Sequence, residues 1–444
     1  MNLSWIKIED LIEYELRQQQ EEGRDVAHWR EQWDHLAREN KNAPGWPQRA
    51  RALQRELTAA AFSPELARRE PSTLAEIRAL TAAPTVALPK LALTDAALAD
   101  RLAGGWLGRA AGCLLGKPVE KHPRAVIKEI LLSTGNWPLA DYITEQGLPQ
   151  ALRQKYPWNK HRGRESLREN IVCMTEDDDM NYPMLNLHVL EKHGAQFSTA
   201  QIAETWLSLL PALSTFTAER VAYLNCLAGL EPPETATANN PYREWIGAQI
   251  RADLWGWVSP GNPQQAAELA WRDARLSHVR NGMYGEMFFA AVIAAAFVCP
   301  NIEQMFELGL SQIPQKSRLA AAIRFAQALP AKEKNWEAAV DRLAAQFGSY
   351  HWVHTINNAA LVVAALLYGE GDYGRSICCV VMGGWDTDSN GATVGAILGT
   401  RRGAKKLPSQ WIGPLNNKIR SSMKGFDNST FDHLSQRTLQ QVMP

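Results

Sequence analysis

The segment ALADRLAGGWLGRAAGCLLGKPVE, residues 97–120, decides how the chain is read. Gly104, Gly108, Gly112 and Gly116 recur every fourth residue, which lines up positions without side chains along one helix face. Such a stripe lets another helix, or a ligand, come close to the backbone. Pro118 then stops the helix and Glu120 lies just past it, so a carboxylate is projected from the loop that leaves a close-packed helix.

Helical apolar spacing continues through the chain: YPMLNLHVLEKHG at 182–194, PQQAAELAWRDARLSHV at 263–279, GEMFFAAVIAAAFV at 285–298 and INNAALVVAALLYG at 356–369. ICCVVM, residues 377–382, reads equally as a strand or as part of a buried helix. Residues 1 to about 80 read as helices broken by Pro44, Pro47, Pro64 and Pro71, with Ile8, Leu11, Ile12 and Leu16 at helical spacing. TAAPTVALPKLALTD, residues 81–95, reads as a connector leading into a helix capped at Thr94 or Asp95. The expected fold is therefore all-α: a helical N-terminal extension over 1–94, then a compact multi-helix domain over 95–444.

The 444 residues carry 47 Lys+Arg against 47 Asp+Glu, with 45% hydrophobic and 21% charged residues, the balance of a packed globular protein. Zero formal charge removes the sequence-independent attraction to phosphate backbones, so no nucleic-acid partner is expected. The longest apolar run, Met287 to Cys299, falls short of the ~20 residues that a bilayer requires. The N-terminus MNLSWIKIEDLIEYE has acids where a signal peptide has an unbroken apolar stretch. No membrane partner is expected. Six cysteines without a CxxC pair read as small buried hydrophobes in a reducing, cytoplasmic compartment.

Two acidic stretches stand out. Thr175-Glu176-Asp177-Asp178-Asp179 precedes a periodic run, where acids favour a helix N-terminus, yet capping needs only one or two of four adjacent carboxylates. A hard divalent cation with oxygen ligands is the natural neutraliser. Gly383-Gly384-Trp385-Asp386-Thr387-Asp388-Ser389-Asn390-Gly391 offers a compact all-oxygen set. It matches the opening of an EF-hand loop but has Ile397 where that loop needs a bidentate Glu. It also looks like a D-x-D phosphoryl-transfer loop, which belongs early in a doubly wound sheet and not near the end of a helical chain.

The order G-x-x-x-G-x-x-x-G-x-P-x-E, then T-[DE]-D, then G-G-x-D-T-D-[ST]-N-x-A-x-x-G resembles the ADP-ribosylglycohydrolase family, which includes the dinitrogenase-reductase-activating glycohydrolases. The stretch Asn281 to Met287 is similar to another segment of that family. The resemblance covers about residues 100 to 400, and the region before residue 95 lies outside it. It implies an all-α enzyme with a two-metal site, Mg²⁺ first and Mn²⁺ or Ca²⁺ as alternatives. Such an enzyme hydrolyses the bond at the anomeric carbon of a ribose and releases ADP-ribose from a protein or nucleotide conjugate. Thr175, Glu176, Asp177, Asp386, Asp388 and Ser389 match metal ligands, and Glu120 and Asp177 are the expected catalytic carboxylates. Two cations would hold the ribose hydroxyls and a water, while Glu120 would stabilise oxocarbenium character or deprotonate that water.

The chain departs from the family pattern at Cys113 for Asp, Glu176 for Asp, Asp178 for Thr and Ser389 for Thr. These changes motivate two alternatives: hydrolysis of a smaller N- or O-ribosyl metabolite, or a non-catalytic binding protein on the same fold. Residues 1–94 read as a specificity lid or an oligomerisation surface. Trp158, Trp245, Trp255, Trp257 and Trp385 read as packing residues or base-stacking faces. Arg243 and Arg251 read as surface salt bridges or phosphate ligands, and no metal spacing joins His278 to His354.

Overall fold

Thr94 accepts a hydrogen bond from the Ala97 N–H at 3.3 Å, and helix Asp95–Gly116 begins behind that cap. In the computed structural model, which describes residues 4–60 and 63–443, this helix lies antiparallel against helix Thr387–Arg402 with the backbones in contact. A methyl group at Gly104, Gly108 or Gly112 would overlap the carbonyl of Gly399, Gly395 or Gly391, and the reverse holds for the facing glycines. The second helix carries its own stripe at the same four-residue spacing, and the two stripes close on each other.

Around this pair the chain is 62% helical, with 24 α-helices and no sheet among the described residues; only isolated bridges such as Met174 with Ile419 occur. Every residue of helix Arg280–Ala296 is buried, as are nearly all of helix Thr355–Tyr368, and both pack against helix Thr387–Arg402. Helices that are apolar all round can only be central ones. ICCVVM lies in helix Tyr373–Met382, which resolves the strand-or-helix ambiguity in favour of the helix.

Helices Ile8–Glu21, Ala27–Arg38 and Trp46–Ala59 close a small core of their own around Leu16, Trp33, Trp46 and Leu57. Largely buried ion pairs join the N-terminal extension to the main body through Arg243 and, at Glu70, through Arg318. Arg243 binds Glu15 at 2.6 Å and Glu22 at 2.8 Å, while Arg318 binds Glu70 at 2.7 Å and Glu244 at 2.9 Å. Asn281, in the segment similar to the family, donates to Glu70 at 2.7 Å and to Glu244 at 3.0 Å. Arg243 and Arg251 thus make salt bridges, but buried ones: Arg251 is fully enclosed among Glu219, Asp273 and Glu286. Trp245, Trp255 and Trp257 are buried packing residues, Trp245 stacked on His351.

Because carbonyl oxygens face the glycine stripe, Gly112→Ala is expected to destabilise the protein by about 3 kcal/mol or more. Gly413→Ala, where a methyl group meets open space at ordinary helical φ, is expected to stay within about 0.5 kcal/mol of wild type. Urea unfolding of the two variants measures the contrast.

Candidate active site

Both acidic stretches are held at helix N-termini, where the partial positive charge favours carboxylates. Asp177 caps helix Asp178–His193, accepting the Asp179 N–H at 2.9 Å. Asp386 stands at the N-cap of helix Thr387–Arg402, with Asp388 in its first turn. The chain reverses into that helix through Gly384 at φ +82° and Trp385 at φ +59°. A tryptophan in the left-handed region costs roughly 1 kcal/mol, and strain of this kind gathers where a functional loop is held in place. The Thr387 hydroxyl donates to the Gly116 carbonyl at 2.7 Å, tying this loop to the end of the glycine helix.

Two groups of three ligand atoms form here, each with its atoms within 4.8 Å of one another: Cys113, Asp177 and Asp179, and Glu120, Asp386 and Asp388. The Lys117 ammonium lies between them, paired with Asp177 and, at 3.1 Å, with Asp388. Carboxylates more than two hundred residues apart in sequence therefore share one counter-charge. Arg109 secures the first group from behind: it donates to Asp179 at 3.1 Å, to the Asp179 carbonyl at 2.8 Å, and pairs with Asp253. Ser389 donates its hydroxyl to Asp179 at 3.3 Å.

Glu176 belongs to neither group, and the Thr175 hydroxyl is engaged with a residue of neither. Thr175 donates to Glu165 at 2.9 Å, and Glu176 accepts from Asn181 at 2.9 Å. Arg109 and Lys117 are the participants that sequence patterns passed over, and Asp179 stands out in sequence only as part of the acidic stretch. An arginine inside the apolar glycine-striped part of the helix and a lysine directly after the last glycine of the stripe were the available signals.

Burial pushes the Glu120 carboxyl up to about 7, with the Asp388 charge adding to the effect. Burial also holds Asp178, Asp179 and Asp386 well above the usual carboxylate range. Asp388 goes the other way: burial opposes its ionisation, but the Lys117 ammonium outweighs that and lowers its pKa.

Lys117, Glu120, Asp178, Asp386, Asp388 and Ser389 line a cavity of about 420 Å³. Trp5, Phe216, Ile246, Ile250 and Trp352 give the lining its apolar part. Trp5 comes from the N-terminal extension and packs edge-on against Tyr242 and Trp245. A larger cleft of about 880 Å³, lined by Arg17, Arg30 and Arg318 among others, holds neither carboxylate group. Glu219, on the wall of the smaller cavity, accepts from Arg251 at 2.9 Å, and burial pushes its carboxyl up to about 7.

An all-helical body with clustered carboxylates lining a half-apolar cavity defines a class of acidic-site helical proteins. The ADP-ribosylglycohydrolase profile matches residues 94–441, and the chain belongs to that family. Membership suggests a hydrolase of glycosidic bonds, and members typically depend on divalent metals. No curated protein matches the sequence. A solved structure described as an ADP-ribosylglycohydrolase-related protein complex is similar at 17% identity and a TM-score of 0.45, covering 78% of this chain and 99% of its own. No helix of the described residues is long and apolar enough to cross a membrane.

A carboxyl with a raised folded-state pKa binds its proton more tightly folded than unfolded. The Glu219 contribution is therefore fully present below its ordinary value of 4.5 and is lost as the pH rises through about 7. In thermal unfolding across that window, Glu219→Gln is expected to flatten the decline in stability seen in wild type; an unchanged slope would contradict the assignment.

Proposed function

We propose that the protein is a divalent-metal-dependent glycohydrolase that cleaves the bond at the anomeric carbon of a ribose, releasing ADP-ribose from a protein or nucleotide conjugate. The observation that carries this reading is the convergence of Glu120, Asp386 and Asp388 on the cavity. Three carboxylates with their oxygens close together and open to a cavity suit a hard cation such as Mg²⁺ or Mn²⁺. These three would hold it, with Ser389 beside them. When bound, the ion would supply Lewis-acid polarisation and would orient ribose hydroxyls and a water.

The side chains do the remaining work. Glu120 would give one carboxylate oxygen to the ion, and the other suits taking a proton from the attacking water. Asp178, held above the usual carboxylate range on the same wall, suits donation toward the leaving group. Phe216, with His161 edge-on at 5.4 Å, and Trp352 offer faces on which a purine can stack. The six free cysteines fit a cytoplasmic protein.

We assign the catalytic role to 95–444 and the role of a fixed cavity wall to 1–94. Ser4 and Trp5 line the cavity, and buried ion pairs lock the extension in place. The presence of extension residues in the cavity lining motivates the second reading: a small ribosyl metabolite in place of a protein-bound substrate.

Asp386→Asn is expected to lower ADP-ribose release more than about 100-fold. A panel of ADP-ribosyl-arginine, ADP-ribosyl-serine and free nucleosides, assayed chromatographically with Mg²⁺, distinguishes the readings. Turnover of nucleosides alone favours the metabolite reading, and turnover of none contradicts both. Trp5→Ala is expected to raise KM several-fold with a smaller change in kcat, the signature of a lost binding contact.

A further inference from the structure

Lys117 is an unusual occupant of a site expected to hold two dications. Its side chain is 6% exposed, and its ammonium bridges the two acidic stretches through Asp177 and Asp388. Its position is fixed at both ends. Gly116 before it lies against the backbone of Thr387 and Asp388, and Pro118 after it turns the chain.

The two carboxylate groups are not equivalent around this ammonium. In the group of Cys113, Asp177 and Asp179, each carboxylate already has a cation: Lys117 for Asp177 and Arg109 for Asp179. Asp179 also accepts from Ser389, and the Cys113 thiol lies 3.8 Å from its second oxygen. All three members are buried, none lines the cavity, and the thiol replaces a hard oxygen donor. That group does not fit a hard dication.

In the group of Glu120, Asp386 and Asp388 only Asp388 has a buried cation, the shared Lys117. Glu120 accepts from Asn159 and stands 3.8 Å from the half-exposed Lys121 ammonium. Asp386 has only its neighbour Asp388 as a side-chain hydrogen-bond partner among the described contacts. These three face the cavity, with no buried cation paired to Glu120 or Asp386.

We propose that Lys117 supplies one of the two positive centres from the chain itself, so that the site takes a single divalent ion, at Glu120, Asp386 and Asp388. The inference rests on the metal reading above and narrows it. A lysine ammonium has three N–H donors and no acceptor. Two are spent on Asp177 and Asp388, and the third is left for an oxygen of the substrate or a water in the cavity. A dication between Asp177 and Asp388 would have to expel this ammonium from between its two partners. An ammonium is also indifferent to chelators, so one of the site's two positive centres persists when the metal is removed.

The test is the stoichiometry of Mn²⁺ binding to chelator-stripped full-length protein, measured by calorimetry and by the spin-coupling of bound Mn²⁺ in electron paramagnetic resonance. Wild type is expected to bind one Mn²⁺ per chain, uncoupled, and Lys117→Ala to bind two, the second between Asp177 and Asp388 where the ammonium had been. Two coupled ions in wild type, or one in Lys117→Ala, would overturn the inference and leave the metal reading standing. No binding by wild type would overturn the metal reading, and this inference with it. Lys117→Met, which keeps the apolar stem, gives an independent readout. Its melting temperature is expected to fall in chelator and to recover with Mn²⁺ by a larger shift than wild type shows. An equal or smaller shift counts against the proposal.

Discussion

The backbone contact between helices Asp95–Gly116 and Thr387–Arg402 is the constraint on which the site depends. With glycine at the crossing points of both helices, carbonyl oxygens occupy space that side chains would otherwise fill. The contact runs the length of the pair and ends where Gly116 meets Thr387 and Asp388. The end of one helix is thereby placed at the start of the other, and Lys117 and Glu120 arrive beside Asp386 and Asp388 as a consequence. Any residue larger than glycine at these crossings would separate the two halves of the site before it altered a single functional group.

The second constraint is electrostatic. Buried carboxylates are tolerated only with compensation, and the fold supplies three kinds: two helix N-termini, the Arg109 and Lys117 side chains, and raised carboxyl pKa values where no cation reaches. Asp177 and Asp179 have Lys117 and Arg109 as partners and do not line the cavity, whereas Glu120 and Asp386 open onto it with no buried cation paired to them. That asymmetry separates a structural acidic group from one poised for chemistry. Similar buried networks, Arg251 among three acids and Glu244 among Arg280 and Arg318, hold the surrounding scaffold and the N-terminal extension rigid.

Much of this was legible in the sequence. The glycine stripe announced close packing, helical periodicity announced the all-α fold, and the D-T-D-S-N motif marked one side of the site. Less legible was anything that depended on a partner distant along the chain. The matching stripe at Gly391, Gly395 and Gly399 is visible only once two helices are considered together, and Lys117 looks like an ordinary helix-terminal lysine until the loops close around it. Arg243 and Arg251 read as surface charges because sequence alone does not reveal that carboxylates from four other segments enclose them. Thr175 and Glu176 sit beside Asp177 in sequence, but the extended backbone at the cap directs them to Glu165 and Asn181.

The claim at the centre of this account is that carboxylates from opposite ends of the family domain form one cation site in the cavity. Anomalous diffraction from a crystal soaked in Mn²⁺ tests it most directly. The account predicts a single anomalous peak within bonding distance of Glu120, Asp386 and Asp388, with the Lys117 ammonium still between Asp177 and Asp388. A peak elsewhere, or none in a crystal that admits the ion freely, would contradict it.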